Sequence, residues 1–95
     1  MKILLTSTSF QDTPGLHNEK LNNLKCSIDK LRGPLTAKQL LPIIQNYDGI
    51  ICGDDDFNAE VLIKGKKGKL KVLSKYGIGL DKIDLKAAKN NNILV

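Results

Sequence analysis

Short apolar runs recur along the chain, and the stretches between them carry apolar residues at helical spacing. The first run, Ile3, Leu4 and Leu5, lies in a predicted strand from Lys2 to Thr6, and its unbroken apolar character suits a strand covered on both faces. Asp12-Thr13-Pro14-Gly15 then breaks the chain, with a short polar helix predicted over Leu16 to Leu24. Lys25 to Leu31 reads as a second strand with Cys26, Ile28 and Leu31 inward, and its charged residues put it at a sheet edge. Thr36 and Gln39 have capping-box spacing, which predicts a helix from there to about Asn46 on an apolar face of Leu40, Leu41, Ile43 and Ile44. Pro42 removes a backbone donor inside that span, so the helix kinks there or starts later.

Gly49 to Gly53 is the third predicted strand, and Asp54, Asp55 and Asp56 are read as caps of a helix from Asn58 to about Lys64. Leu70 to Ser74 is the fourth. Asp84 starts a last short helix on Leu85, Ala87 and Ala88, Asn90 to Asn92 end it, and Ile93 to Val95 begin a fifth strand. This alternation predicts an α/β fold with right-handed crossovers: a flavodoxin-like open parallel sheet of about five strands, order 2-1-3-4-5, with helices on both faces. No internal repeat or low-complexity tract interrupts it.

Length narrows the picture further. A chain of 95 residues, 41% hydrophobic and 26% charged, has room for one core but not for a core plus a separate cofactor domain. No apolar run reaches the roughly 18 residues of a membrane span, and Ile3 to Leu5 is too short for a signal-peptide core, so a cytoplasmic protein is expected. Cys26 and Cys52 lie in apolar stretches without metal-ligand spacing, as reduced core thiols do. The chain stops in an apolar strand with no polar tail, which is the expectation for a truncated product.

The net charge of +5 is uneven. Residues 1–63 carry 6 basic and 8 acidic groups, net −2, whereas residues 64–95 carry 9 basic and 2 acidic groups, net +7. Lys64, Lys66, Lys67, Lys69 and Lys71 alternate with glycines in the manner of a solvated loop. Aromatic residues are 4% of the chain and none lies in that run, so stacking platforms for nucleic acid are missing. A plain interaction module using these lysines against an acidic partner stays open as one reading.

Ligands of open α/β sheets bind beyond the carboxyl ends of the strands. Three loops qualify: Ser7 to Ser9, Gly53 to Asp56, and Ser74 to Asp81. In the last, Gly77 and Gly79 flank Ile78, a spacing that lets successive N–H groups converge on an anion, with Lys75 adding positive charge. A dinucleotide fingerprint would need glycine where Lys82 stands. On spacing alone, a tight strand-to-helix turn with no ligand is the simpler explanation of the same glycines.

The segment Leu70 to Leu85 followed by Ala87-Ala88 resembles the K-hydrophobic-hydrophobic-S-(R/K)-x-G-x-G-x-D-x-I-D-x-x-A-A signature of the D-isomer-specific 2-hydroxyacid dehydrogenases, whose members include phosphoglycerate dehydrogenase and glyoxylate or hydroxypyruvate reductase. Asp48-Gly49-Ile50-Ile51-Cys52-Gly53-Asp54 is similar to the family's third-strand segment. The resemblance implies that residues 1–95 are the N-terminal part of a flavodoxin-like substrate-binding domain, with the Rossmann NAD-binding domain absent from this chain. It further implies a small 2-hydroxy or 2-keto acid as partner and a homodimer in full-length members, while the scarce aromatics and the short apolar runs argue against nucleic acid and membrane as partners. By that likeness, substrate-binding roles fall to Lys75, Gly77, Ile78 and Gly79, the backbone N–H groups of Ile78 and Gly79 meeting the substrate carboxylate and Lys75 helping to hold the anionic end.

The family's glycine fingerprint and its catalytic Arg, Glu and His match no residue here, so no catalytic, cofactor-binding or metal-binding residue is assigned and the chain alone is expected to be inactive. His17 is read as an ordinary surface residue. A receiver-like phosphoacceptor domain shares this fold and would use Asp54, but Thr6 to Phe10 offers hydroxyls where such a domain needs magnesium-binding carboxylates.

Overall fold

The computed structural model describes residues 1–77 and 79–95. Four strands, β1 (Lys2–Leu5), β2 (Ser27–Lys30), β3 (Gly49–Cys52) and β4 (Val72–Lys75), form one sheet in the order β2-β1-β3-β4. All three pairings are parallel, with Leu5 opposite both Lys30 and Ile51, and Cys52 opposite Lys75. The expected order therefore holds through the fourth strand, and β2 lies at the edge where its charges suggested. Among the described residues the sheet has four strands; where the fifth was expected to begin, Leu94 makes a single parallel bridge with Val72, exchanging bonds with Lys71 and Leu73. The chain enters this bridge directly from the turn at Asn92, whose φ is 56°.

Alternation along β1 and β3 divides the core between the two faces of the sheet. Leu4 and Ile50 point to one side, where α3 (Ala37–Leu40), α4 (Ala59–Lys67) and α5 (Leu85–Asn90) contribute Leu40, Val61, Leu62, Ala87 and Ala88. Leu5 and Ile51 point to the other, covered by Phe10 of α1 (Thr8–Asp12) and Leu21 of α2 (Leu16–Asn22). Helices thus flank both faces, as the pattern required.

Several boundaries differ from the sequence reading for identifiable reasons. Ser7 Oγ accepts from Phe10 N at 3.1 Å and nucleates α1, a polar turn with no apolar periodicity to reveal it. The Thr36–Gln39 capping box is present, but the helix it starts stops after one turn, and a separate 3-10 turn covers Ile44–Asn46. Pro42 lies in the break. The three aspartates do not cap α4, because Phe57 bridges Ile83 and keeps the chain extended as far as Asn58. Asn58 Oδ1 is the cap, accepting from Val61 N at 2.9 Å. Cys52 is a fully buried free thiol, whereas Cys26 is half-buried and outside both core clusters. Leu31 faces outward, 40% exposed, because β2 has already ended. No helix among the described residues is long and apolar enough to cross a membrane.

Candidate functional site

The four strands point their carboxyl ends at one cavity of about 190 Å³. Its lining comes from Thr6 to Ser9 after β1, Gly33 and Pro34 after β2, Gly53 and Asp54 after β3, and Lys75, Tyr76 and Gly77 at the end of β4. Parallel strands bring these separated segments together because every strand presents the same end to the same side. The three loops singled out from the sequence meet here, joined by the Gly33-Pro34 turn.

One carboxylate fastens the cavity floor. Asp55 is fully buried, and its Oδ2 accepts from Thr6 Oγ1 at 2.6 Å and Gly53 N at 3.1 Å, while Oδ1 accepts from Leu35 N at 2.6 Å. Three donors compensate a charge that would otherwise be costly to bury. Gly33 passes close to the same carboxylate; a Cβ there would stand 2.6 Å from Asp55 Oδ1 and 2.7 Å from Thr6 O. Sequence spacing gives no hint of this role, because the partners of Asp55 lie at positions 6, 35 and 53 and no local pattern links them.

Lys75 reaches into the cavity with its side chain only 7% exposed. Its ammonium donates to Gly53 O at 2.9 Å and pairs with Asp54, whose side chain is 74% exposed at the rim. The Lys75 hydrogen bond holds the Asp54 carboxyl below its usual range. The cation proposed for an anionic ligand is therefore already in contact with an acid of the chain itself. Cys52, beneath, has its thiol pushed up to about 12 by burial and then by the Asp55 charge, so it is a packed thiol and not a nucleophile.

The glycine loop follows directly. Gly77 has φ 150° and Gly79 φ 83°, values that glycine adopts and side-chain-bearing residues rarely do. Gly77 lines the cavity. Among the described residues, no acceptor takes the N–H of Gly77 or of Gly79. Ile78, assigned a substrate-binding role from sequence, lies outside the described residues. Of the four predicted residues, Lys75 and Gly77 are thus brought together in the cavity, and Gly79 stands two residues beyond Gly77 in the same loop.

Tyr76 forms the remaining wall, edge-on to Phe10 at 5.1 Å and stacked on His17 at 5.7 Å. His17, expected from the sequence to be an ordinary surface residue, is half-buried with its Nε2 3.1 Å from Phe10 O and braces this wall. No three His, Cys, Asp or Glu side chains converge on a metal position among the described residues. The glycine loop lacks the helix start of a dinucleotide fingerprint: among the described residues the next helix, α5, begins only at Leu85.

Comparison with known proteins adds a family to this geometry. The catalytic-domain model of the D-isomer specific 2-hydroxyacid dehydrogenases matches residues 3–95. Among solved structures, the TT0316 protein of Thermus thermophilus is 31% identical, with a TM-score of 0.76 over 99% of this chain and 29% of that one. The apo D-lactate dehydrogenase of Escherichia coli is 20% identical, TM-score 0.78, over 100% of this chain and 30% of that one. The NAD+-bound 3-phosphoglycerate dehydrogenase of Entamoeba histolytica is 23% identical, TM-score 0.76, over 99% and 32% respectively. The chain spans roughly 30% of the length of these structures. No curated protein matches it significantly.

Proposed function

The chain belongs to the D-isomer specific 2-hydroxyacid dehydrogenase family, as a catalytic-domain segment, and from that premise we propose that it is the N-terminal part of the substrate-binding domain of an NAD-dependent oxidoreductase. The reaction interconverts a D-2-hydroxy acid and its 2-keto acid, of the 3-phosphoglycerate or the glyoxylate and hydroxypyruvate type. The observation that carries this reading is the glycine loop after β4, with Gly77 in the cavity wall and the Gly77 and Gly79 N–H groups taken by no acceptor among the described residues.

In this reading the loop, including Ile78, presents main-chain donors to the substrate carboxylate. Such donors hold an anion without titrating, and they are fixed in direction before the ligand arrives. Lys75 has three donors, of which Gly53 O and Asp54 engage two. The third supplements the amides. Tyr76 and the hydroxyl-bearing Ser7 to Ser9 segment bound the space around the rest of the acid.

NAD supplies the hydride chemistry, and its binding is assigned to a Rossmann domain outside these 95 residues, since the residues present do not form a site for it. The complete enzyme acts as a homodimer in a reducing, cytoplasmic setting, which suits two unpaired cysteines.

Titrating the chain with glyoxylate while following amide resonances tests the acid site. Saturable shifts are expected at Gly77 and Gly79 and none at Gly68, on the far side of the sheet ends. Unchanged Gly77 and Gly79 resonances at saturating acid would overturn the reading. The same chain mixed with NADH and glyoxylate is expected to leave the NADH unoxidised.

A further inference from the structure

We propose that Asp54 makes the cavity selective for an unphosphorylated 2-hydroxy or 2-keto acid, by occupying the Lys75 ammonium and opposing the added charge of a phosphorylated substrate. This deepens the assignment of the cavity as the acid site and rests on it.

The charges around the cavity are few. Among its described lining residues only Lys75 and Asp54 are charged, and they are paired with each other. Their positions are unequal: the cation is recessed at 7% exposure and the carboxylate stands outward at 74%. An anion approaching the mouth therefore meets Asp54 first and finds the ammonium's charge already offset, with one of its three donors left. Asp54 is ionised at neutral pH, its carboxyl being held low by Lys75.

A single carboxylate tolerates this arrangement, because neutral main-chain donors hold it and demand no free cation. A phosphate ester brings a further −1.5 to −2 charges at about pH 7. It would need an unpaired cation, and the neighbouring ones do not supply it. Arg32 is bound in a fork to Asp12 at 2.9 and 2.7 Å. Lys82 adds a weaker positive field at Asp54 but does not line the cavity. Within a partly enclosed space, charges a few Å apart are screened only in part by salt.

The test compares D-glycerate with 3-phospho-D-glycerate, which differ only by the phosphate. Dissociation constants are read from the Gly77 and Gly79 amide shifts at one fixed ionic strength, for the natural chain, Asp54→Asn and Asp56→Asn. Asp56 loses the same charge but lies outside the cavity lining. The natural chain is expected to prefer D-glycerate. Asp54→Asn is expected to tighten 3-phosphoglycerate about tenfold and D-glycerate about threefold or less, and Asp56→Asn to change either by less than about twofold. Equal factors for the two acids in Asp54→Asn, an equal effect from Asp56→Asn, or a natural chain that prefers the phosphorylated acid would overturn the inference while leaving the acid site standing. If neither acid moves Gly77 or Gly79 in any of the three proteins, the acid site itself fails and the selectivity falls with it.

Discussion

Thr6 donates its hydroxyl to Asp55 Oδ2 at 2.6 Å, tying the end of β1 to the turn after β3 across 49 positions of sequence. Both residues are fully buried, so the bond sits where an unmet donor or acceptor is expensive. Asp55→Ala strands three donors at once and is expected to cost about 3 to 5 kcal/mol of stability. Thr6→Val leaves Asp55 two partners and should cost about 1 to 2 kcal/mol. Urea unfolding monitored by circular dichroism distinguishes the two; equal losses would mean that Asp55 does not work as a three-way acceptor.

Gly33 and Gly53 both line the cavity, yet alanine should be costly at the first and nearly neutral at the second. At Gly33 the new methyl would meet Asp55 Oδ1 at 2.6 Å and a backbone oxygen at 2.7 Å, so the floor must open, at a cost of about 2 to 3 kcal/mol. At Gly53 the nearest atom is Ser7 Cα at 3.7 Å, an ordinary contact, and the change should stay within about 1 kcal/mol. Thermal or urea midpoints of the two variants check the contrast.

The two cysteines should separate cleanly under alkylation. Cys52 is fully buried with its thiol pushed up to about 12, whereas Cys26 is half-buried. Iodoacetamide at about pH 8 is expected to modify Cys26 in the native chain and Cys52 only after denaturant is added. Peptide mass mapping reads this directly, and rapid native labelling of Cys52 would contradict the packing of β3.

Alkaline stability carries the signature of Tyr47. Tyr47 is 6% exposed, and its phenol donates to Asp29 Oδ2 at 2.8 Å and is pushed up to about 12 by burial and then by the Asp29 carboxylate. A folded value above the unfolded one means that the neutral phenol favours the fold. That contribution is complete below about pH 10 and is lost as pH rises through about 12. Tyr47→Phe should lower stability at pH 8 by about 1 to 2 kcal/mol and show a shallower fall between pH 10 and 12 than the natural chain. Parallel slopes would place the alkaline transition elsewhere.

What the sequence made legible was whatever repeats locally. Apolar runs marked β1, β3 and β4, the Thr36–Gln39 spacing marked a cap that the structure contains, and the glycine segment pointed to the loop that lines the cavity with Gly77. Interactions between distant segments stayed hidden. Asp55 has the look of a helix cap because its real donors come from three separate turns, and Asp54 looks like its twin until β4 brings Lys75 beside it. His17 gives no sign of its place against Phe10 and Tyr76, since aromatic contacts between loops have no period.

Because every pairing in the sheet is parallel, no two strands can join as a hairpin, and each contact must wait for a crossover to close. The cavity draws its walls from the ends of all four strands, which come together only through those crossovers. It exists only where all four strand ends are in place, so a ligand bound there stabilises the folded sheet over the unfolded chain. Any small acid that docks should then raise the melting temperature in proportion to the logarithm of its concentration, even where the chain performs no chemistry on it.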